Sequence, residues 1–125
     1  LTAYDLNTGE IKWRVPNGTT TGPGIPADAG AHFARGAPLV TAGGLVFIAT
    51  AQDRTLRAYD RDSGEVLWSY ALPGGSEGIP ATYEIGGRQY LAVPMAAGAG
   101  LFAPTLEPPL PEPERAYVVF ALPRR

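Results

Sequence analysis

The chain has 125 residues, of which 45% are hydrophobic and 18% charged, and this composition can form a packed core. Its formal net charge is −2 and it has no Cys, which argues against a basic nucleic-acid surface and excludes disulfide bonds and thiolate metal sites. No apolar stretch approaches the roughly 18 residues of a transmembrane helix. The 16 Gly and 13 Pro predict short strands joined by turns rather than long helices.

The first strand-like segment, residues 1–16, is repeated at residues 56–71. Seven of 16 positions are identical between LTAYDLNTGEIKWRVP and LRAYDRDSGEVLWSYA. In each copy an alternating strand leads into an Asp-to-Gly turn, and the return strand carries a Trp. In the second copy the turn Gly, Gly64, is expected to take a positive φ. Such a unit, recurring after 55 residues, is typical of the blades of a β-propeller.

Further turns and apolar runs predict the remaining strands. The predicted positions are residues 36–41, 45–50, 55–60, 65–71, 79–85, 88–95 and 116–122. They group into a half blade at 1–16, a four-stranded blade at 36–71 and three strands of a final blade at 78–122. Because a closed propeller needs about four to eight blades, we expect an all-β fragment from the C-terminal part of a larger ring. In isolation, its uncovered blade edges should favour self-association.

The connections between these strands should alternate between the two ends of each sheet. One end, called here the turn end, should collect the tight turns at 42–44, 60–64 and 86–87. The other, called the loop end, should collect the connections at 17–34, 51–54, 72–77 and 96–114. Two of these loops are long, and long loops in a compact domain are commonly functional. The sequence therefore predicts a ligand site at the loop end.

Both repeats fit the pattern Ala-x-Asp-x-x-x-Gly-x-x-x-Trp. The matching residues are Ala3, Asp5, Gly9 and Trp13 in the first copy and Ala58, Asp60, Gly64 and Trp68 in the second. This pattern resembles the tryptophan-docking motif of the quinoprotein dehydrogenases, which are eight-bladed propellers, and we interpret both Trp side chains as packing between blades. Residues 36–60 and 79–93, with the closing AYVVFALP, resemble the end of membrane-type pyrroloquinoline quinone (PQQ) glucose dehydrogenases.

The resemblance implies a periplasmic enzyme that oxidises a sugar or an alcohol with PQQ and Ca²⁺ and passes electrons to a quinone or a cytochrome. The resemblance also allows a tether to the inner membrane through a region N-terminal to this chain. The family's general-base Asp, the Trp that stacks on PQQ and the cation ligands belong to earlier blades. We therefore expect no catalytic or metal-binding residue here, and an isolated chain that is inactive. The alternative is a non-enzymatic propeller scaffold for protein assembly in the bacterial envelope; the TYEIGG-x-QY segment favours the enzyme.

Two candidate sites at the loop end follow from the resemblance. Asp53 is either a turn Asp that bonds its own backbone or, as in the glucose dehydrogenases, a residue close to the cofactor. The second is the segment Gly98, Ala99 and Gly100. Relatives have a Gly-rich loop there that often holds a His or a Trp beside the active site, where this chain has Ala99. Both candidates are predicted to be cofactor-binding.

Two further features of the long loops have simpler interpretations. His32 is the only His of the chain and, in a loop rich in Pro and Gly, is expected to be a surface residue rather than a base. Residues 104–113 contain five Pro, a composition that favours an extended, exposed loop. The alternative for this stretch is a docking surface for an electron acceptor.

Overall fold

The computed structural model describes residues 1–20, 22–26, 28–31, 35–95 and 114–123. These residues form strands, turns and irregular segments, and no helix among them is long and apolar enough to cross a membrane. The strands are β1 (Thr2–Tyr4), β2 (Ile11–Arg14), β3 (Leu39–Val40), β4 (Leu45–Thr50), β5 (Thr55–Asp60), β6 (Val66–Ala71), β7 (Ala81–Ile85), β8 (Arg88–Met95) and β9 (Ala116–Ala121). The expected all-β fold is confirmed.

The strands form three antiparallel sheets in which each strand pairs with its neighbour in the sequence. Their orders are β1-β2, β3-β4-β5-β6 and β7-β8-β9, and we refer to them as the first, second and third sheets. The two repeats adopt the same register, since Ala3 pairs with Trp13 and Ala58 pairs with Trp68. In both copies the register shifts immediately after the Ala. The sequence repeat is therefore also a structural repeat.

Strand β3, at one edge of the second sheet, is shorter than its sequence suggests. The expected strand at 36–41 is reduced to Leu39–Val40. Pro38 has no backbone N–H to donate to a ladder, and the strand begins immediately after it. In the third sheet, β7 begins at Ala81 rather than at residue 79, immediately after Pro80, for the same reason. Pro thus sets the start of both strands.

The central strands of the second sheet, β4 and β5, have buried residues on both faces, and alternate residues of β4 point to opposite sides. The outer strand β6 is exposed along its length. Val46 and Ile48 join Tyr59 in a cluster against the first sheet. Ala49 belongs to a second cluster, between the second and third sheets. Its buried members are Ala49, Leu56, Leu72, Leu91, Val93 and Met95. This two-sided burial explains why β4 reads as the continuous apolar run LVFIAT.

Hydrogen bonds gather the connections at two opposite ends of the sheets, as the alternation requires. At the turn end, the backbone N–H of Arg61 donates to the Gly44 carbonyl at 2.9 Å. At the loop end, the backbone N–H of Leu72 donates to the Arg54 carbonyl at 2.6 Å. The expected separation into a turn end and a loop end is therefore present for these connections of the second sheet, whereas residues 96–113 of the predicted 96–114 loop lie outside the described residues.

Candidate functional site

The candidate site lies at the loop end, where three connections meet. Gly18 has a φ of +75°, and a Cβ there would lie 3.0 Å from the Thr50 methyl, so the first loop passes close to the end of β4. This approach brings Thr19 to Asp53. The Thr19 backbone N–H donates to Asp53 Oδ2 at 3.0 Å and its hydroxyl donates to the same oxygen at 3.2 Å. The beginning of the 17–34 loop is therefore fixed on the β4–β5 turn.

Asp53 forms a largely buried ion pair with Arg57. The two side chains are 13% and 14% exposed, respectively. Arg57 Nη2 donates to Asp53 Oδ2, while Arg57 Nη1 donates to the Thr50 hydroxyl at 3.1 Å. The Thr50 hydroxyl in turn donates to Asp53 Oδ1. Because both carboxylate oxygens have partners, the pair meets the condition under which buried charges are tolerated.

Asp53 therefore does more than bond the backbone of its own turn. Its carbonyl accepts the Thr55 hydroxyl at 2.7 Å, as a turn residue would. Its side chain, in addition, connects residues 34 positions apart in the sequence. Whether Asp53 also lies close to a cofactor stays a prediction of the resemblance.

The structure adds two residues to the loop end that the sequence did not single out. Arg54 is 9% exposed, has a φ of +46°, and its Nε is buried without a hydrogen-bond acceptor. Ser76 is 1% exposed and its hydroxyl also has no partner. Buried polar groups are nearly always paired, so each unpaired group calls for an explanation. The sequence carried no local signal for the conformation of Arg54, because a positive φ is uncommon for Arg.

Tyr59 contacts the start of the 17–34 loop from β5 and does not act as an acid or a base. Its side chain is fully buried and its hydroxyl donates to Asn17 Oδ1 over a long 3.5 Å. Burial raises the pKa of Tyr59 above its ordinary value, with Arg57 opposing the shift. The phenol therefore stays protonated at neutral pH and acts as a structural contact.

At the turn end, the Trp of one repeat packs on the turn of the next. Trp13 Nε1 donates to the Arg61 carbonyl at 2.9 Å. Its ring lies over Gly64, whose φ is +76° and where a Cβ would come within 2.7 Å of the ring. The positive φ expected at Gly64 is thus present, and it coincides with a contact that leaves no room for a side chain.

The Asp of each repeat organises its own turn. Asp60 Oδ1 accepts the backbone N–H groups of Ser63 at 2.7 Å and Asp62 at 2.9 Å. In the first repeat, Asp5 Oδ1 accepts the backbone N–H of Asn7 at 2.8 Å, and Gly9 again has a φ of +76°. These motif residues build the hairpins, and their geometry assigns them no ligand chemistry.

A cavity of about 510 Å³ lies between the second and third sheets on the turn side. Trp68 contributes to its wall and meets Phe120 edge-on, with the ring centroids 5.4 Å apart. The lining is apolar apart from a few hydroxyl and amide groups and contains no carboxylate, His or Lys. The described lining therefore has no charged side chain, and this distinguishes it from the loop end.

Several predicted features fall outside the described residues. These are Gly98, Ala99 and Gly100, together with His32 and the Pro-rich stretch 104–113. Among the residues the structure does describe, no group of three or more His, Cys, Asp or Glu lies close enough to hold a metal ion. In the part of the loop end that the structure describes, Arg57 pairs with Asp53, Arg54 Nε has no partner, and no cluster of carboxylates is present.

Comparison with known proteins gives consistent matches. Residues 1–91 match the family model described as the glucose/ethanol/alcohol dehydrogenase β-propeller domain, a PQQ family. The chain is 44% identical over 106 residues to the glycerol dehydrogenase large subunit of Gluconobacter oxydans, covering 78% of this chain and 14% of that protein. It is 43% identical over 108 residues to the quinate/shikimate dehydrogenase (quinone) of Acinetobacter baylyi, covering 79% and 13%.

A solved structure agrees with these matches. The quinohemoprotein alcohol dehydrogenase of Pseudomonas putida superposes with a TM-score of 0.59 and 30% identity, over 82% of this chain and 13% of that one. The three consecutive antiparallel sheets and the likeness to this solved structure together identify the fold as part of a β-propeller. The chain belongs to the PQQ-dependent glucose/ethanol/alcohol dehydrogenase β-propeller family. It spans about a seventh of the length of the glycerol dehydrogenase subunit, at 14%.

Proposed function

We propose that this chain forms the last blades of an eight-bladed, PQQ-dependent dehydrogenase of the periplasm. The enzyme would oxidise a sugar or another alcohol and pass the electrons to a quinone or a cytochrome. The observation that carries this proposal is the family match over residues 1–91. Similarity to two dehydrogenases named for glycerol and for quinate or shikimate supports hydroxylated substrates. No comparison favours the alternative of a scaffold for protein assembly.

The described loop end fits an anionic cofactor better than a cation. It has a buried Arg54 and a buried Ser76, both with unpartnered polar atoms, and no cluster of carboxylates. PQQ is a quinone that bears three carboxylates and, when bound, accepts the two electrons lost by the substrate alcohol. Asp53 and the segment Gly98–Gly100 would lie beside it. Ca²⁺, which the family resemblance implies, would be held by residues other than those described.

The contribution of this chain to the reaction would be to position groups rather than to transfer protons. Asp53 accepts hydrogen bonds from Arg57, Thr19 and Thr50, so its carboxylate is held in place by this chain. Tyr59 stays protonated because burial raises its pKa. The general base would therefore come from another part of the enzyme, and residues 17–20, 51–54 and 72–78 would form one wall of its site.

The proposal is tested with the full-length protein that contains residues 1–125, prepared without cofactor by EDTA treatment. Dye reduction is followed with glucose, glycerol, quinate and ethanol after PQQ and Ca²⁺ are added singly and together. We expect activity with at least one substrate when both are present, and its loss when either is removed. Activity that is independent of PQQ, or no activity with any substrate under these conditions, would contradict the proposal.

A further inference from the structure

Arg54 is the most anomalous residue at the loop end. It is 9% exposed, and its buried Nε has no acceptor among the described residues. A guanidinium stays charged at every physiological pH, and a buried charge without a partner is costly to the fold. Its φ of +46° adds strain, because an Arg has no conformational preference for this region. Strained residues of this kind concentrate at ligand sites.

Two carboxylates of the described loop end pair with arginines other than Arg54. Asp53, the adjacent carboxylate, is paired with Arg57. Glu77, on the loop that follows β6, lies 3.8 Å from Arg35. The described part of the loop end therefore contains a positive charge that its own carboxylates do not neutralise, and this favours an anion from outside these residues.

Ser76 supplies a second free donor in the same region. Its hydroxyl is buried and unpartnered, and it lies on the loop that starts at Leu72. That loop is held to Arg54 by the hydrogen bond from the Leu72 N–H to the Arg54 carbonyl. Arg54 itself stands two residues before Leu56, whose side chain packs between the second and third sheets. Arg54 and Ser76 thus belong to two connections that meet at the loop end.

We infer that Arg54, assisted by Ser76, binds a carboxylate of the ligand that occupies the loop end. A planar guanidinium pairs with a carboxylate through two parallel hydrogen bonds, and a hydroxyl can donate a third. Two ligands carry this group: PQQ, and a hydroxy-acid substrate such as quinate. The inference rests on the proposed function and goes beyond it by naming an anion subsite on this chain.

The test uses the full-length protein with Arg54→Met, Arg54→Lys and Ser76→Ala. The matched control is Arg61→Met, which removes the same charge from a 51% exposed side chain at the turn end. Three quantities are measured: the dissociation constant of PQQ, the KM values for quinate and for glycerol, and the temperature of thermal unfolding. Arg54→Lys keeps the positive charge, so it still tests the inference if Arg54→Met does not fold.

If the carboxylate belongs to PQQ, Arg54→Met should raise the PQQ dissociation constant about tenfold or more, with smaller effects in Arg54→Lys and Ser76→Ala. If it belongs to the substrate, the KM for quinate should rise by a similar factor while PQQ affinity and the KM for glycerol stay unchanged. Either pattern supports the inference and identifies the source of the carboxylate.

Binding and KM values in Arg54→Met equal to those of Arg61→Met would overturn the inference. A lower unfolding temperature without a change in these values would overturn it too, by assigning Arg54 an intramolecular partner. A wild-type protein that is inactive with PQQ would contradict the proposed function, and this inference with it. An active wild type with unaffected Arg54 variants would contradict the inference alone.

Discussion

The two ends of the second sheet are built by different kinds of interaction. At the turn end, the partly exposed Asp60 accepts hydrogen bonds from backbone N–H groups two and three residues ahead, and the Trp13 ring packs on Gly64. At the loop end, the Asp53–Arg57 pair is largely buried and bonds a residue 34 positions away. The turn end is repeated along the sequence, whereas the described loop end is not. Repetition thus marks the framework of the fold, and the unrepeated buried charges mark the candidate site.

The largest expected effect comes from the buried pair at the loop end. Asp53→Ala leaves Arg57 without its carboxylate, and removing one partner of a buried ion pair costs about 3–5 kcal/mol. The free energy of unfolding of the full-length protein, measured with a chemical denaturant, should fall by about this amount. Asp62→Ala is the control, because it breaks the exposed Lys12–Asp62 pair at the turn end and should cost less than about 1 kcal/mol. Equal losses in the two variants would remove the distinction between the ends.

A smaller loss is expected at Gly64. In Gly64→Ala the new Cβ meets both a positive φ and the Trp13 ring, which together should cost about 2–4 kcal/mol. Gly87→Ala is the matched control, since Gly87 has a similar φ of +72° but nothing within 4 Å of its Cβ position. Its loss should be about 1 kcal/mol. If thermal unfolding shifts equally in both, the Trp13 contact contributes nothing beyond the backbone conformation.

The sequence was most informative where structure depends on local pattern. The hairpins, the three groups of strands and the positive φ at Gly64 follow from alternation and turn residues, which act over a few positions. The pairing of Asp53 with Arg57 was not predicted, because Asp53 lies in a turn and strand alternation does not relate its side chain to that of Arg57. The bond from Thr19 to Asp53 was not predicted either, since it depends on how two loops meet in space.

Arg54 shows why the site was harder to predict than the fold. Nothing in the local sequence assigns a positive φ to an Arg, a residue for which this conformation is uncommon. Its lack of a partner is a property of the assembled loops and becomes visible after burial is known. The start of β3 was missed for a simpler reason, because Pro38 interrupts a run that otherwise reads as a strand.

The smallest effect concerns the pH dependence of the turn end. The Ser63 backbone and side chain and the Asp62 backbone donate to Asp60 and hold its pKa below the ordinary value of 3.8. Because the folded-state pKa is lower than the unfolded one, the stabilisation is present above that ordinary value and is lost as pH falls through the folded-state pKa. The stability difference between wild type and Asp60→Ala should therefore be constant near neutral pH and shrink in acid. A difference that grows in acid would contradict this assignment.

The roles of the two ends are separated most directly by PQQ titration of two matched variants of the full-length protein. Asp53→Asn and Asp60→Asn each remove one carboxylate charge, at the loop end and at the turn end respectively. We expect Asp53→Asn to raise the PQQ dissociation constant about tenfold, because the carboxylate that holds Thr19, Thr50 and Arg57 in place at the proposed site is lost. Asp60→Asn should leave this constant unchanged. Weaker PQQ binding in Asp60→Asn, with wild-type binding in Asp53→Asn, would place the cofactor at the turn end and contradict the proposed site.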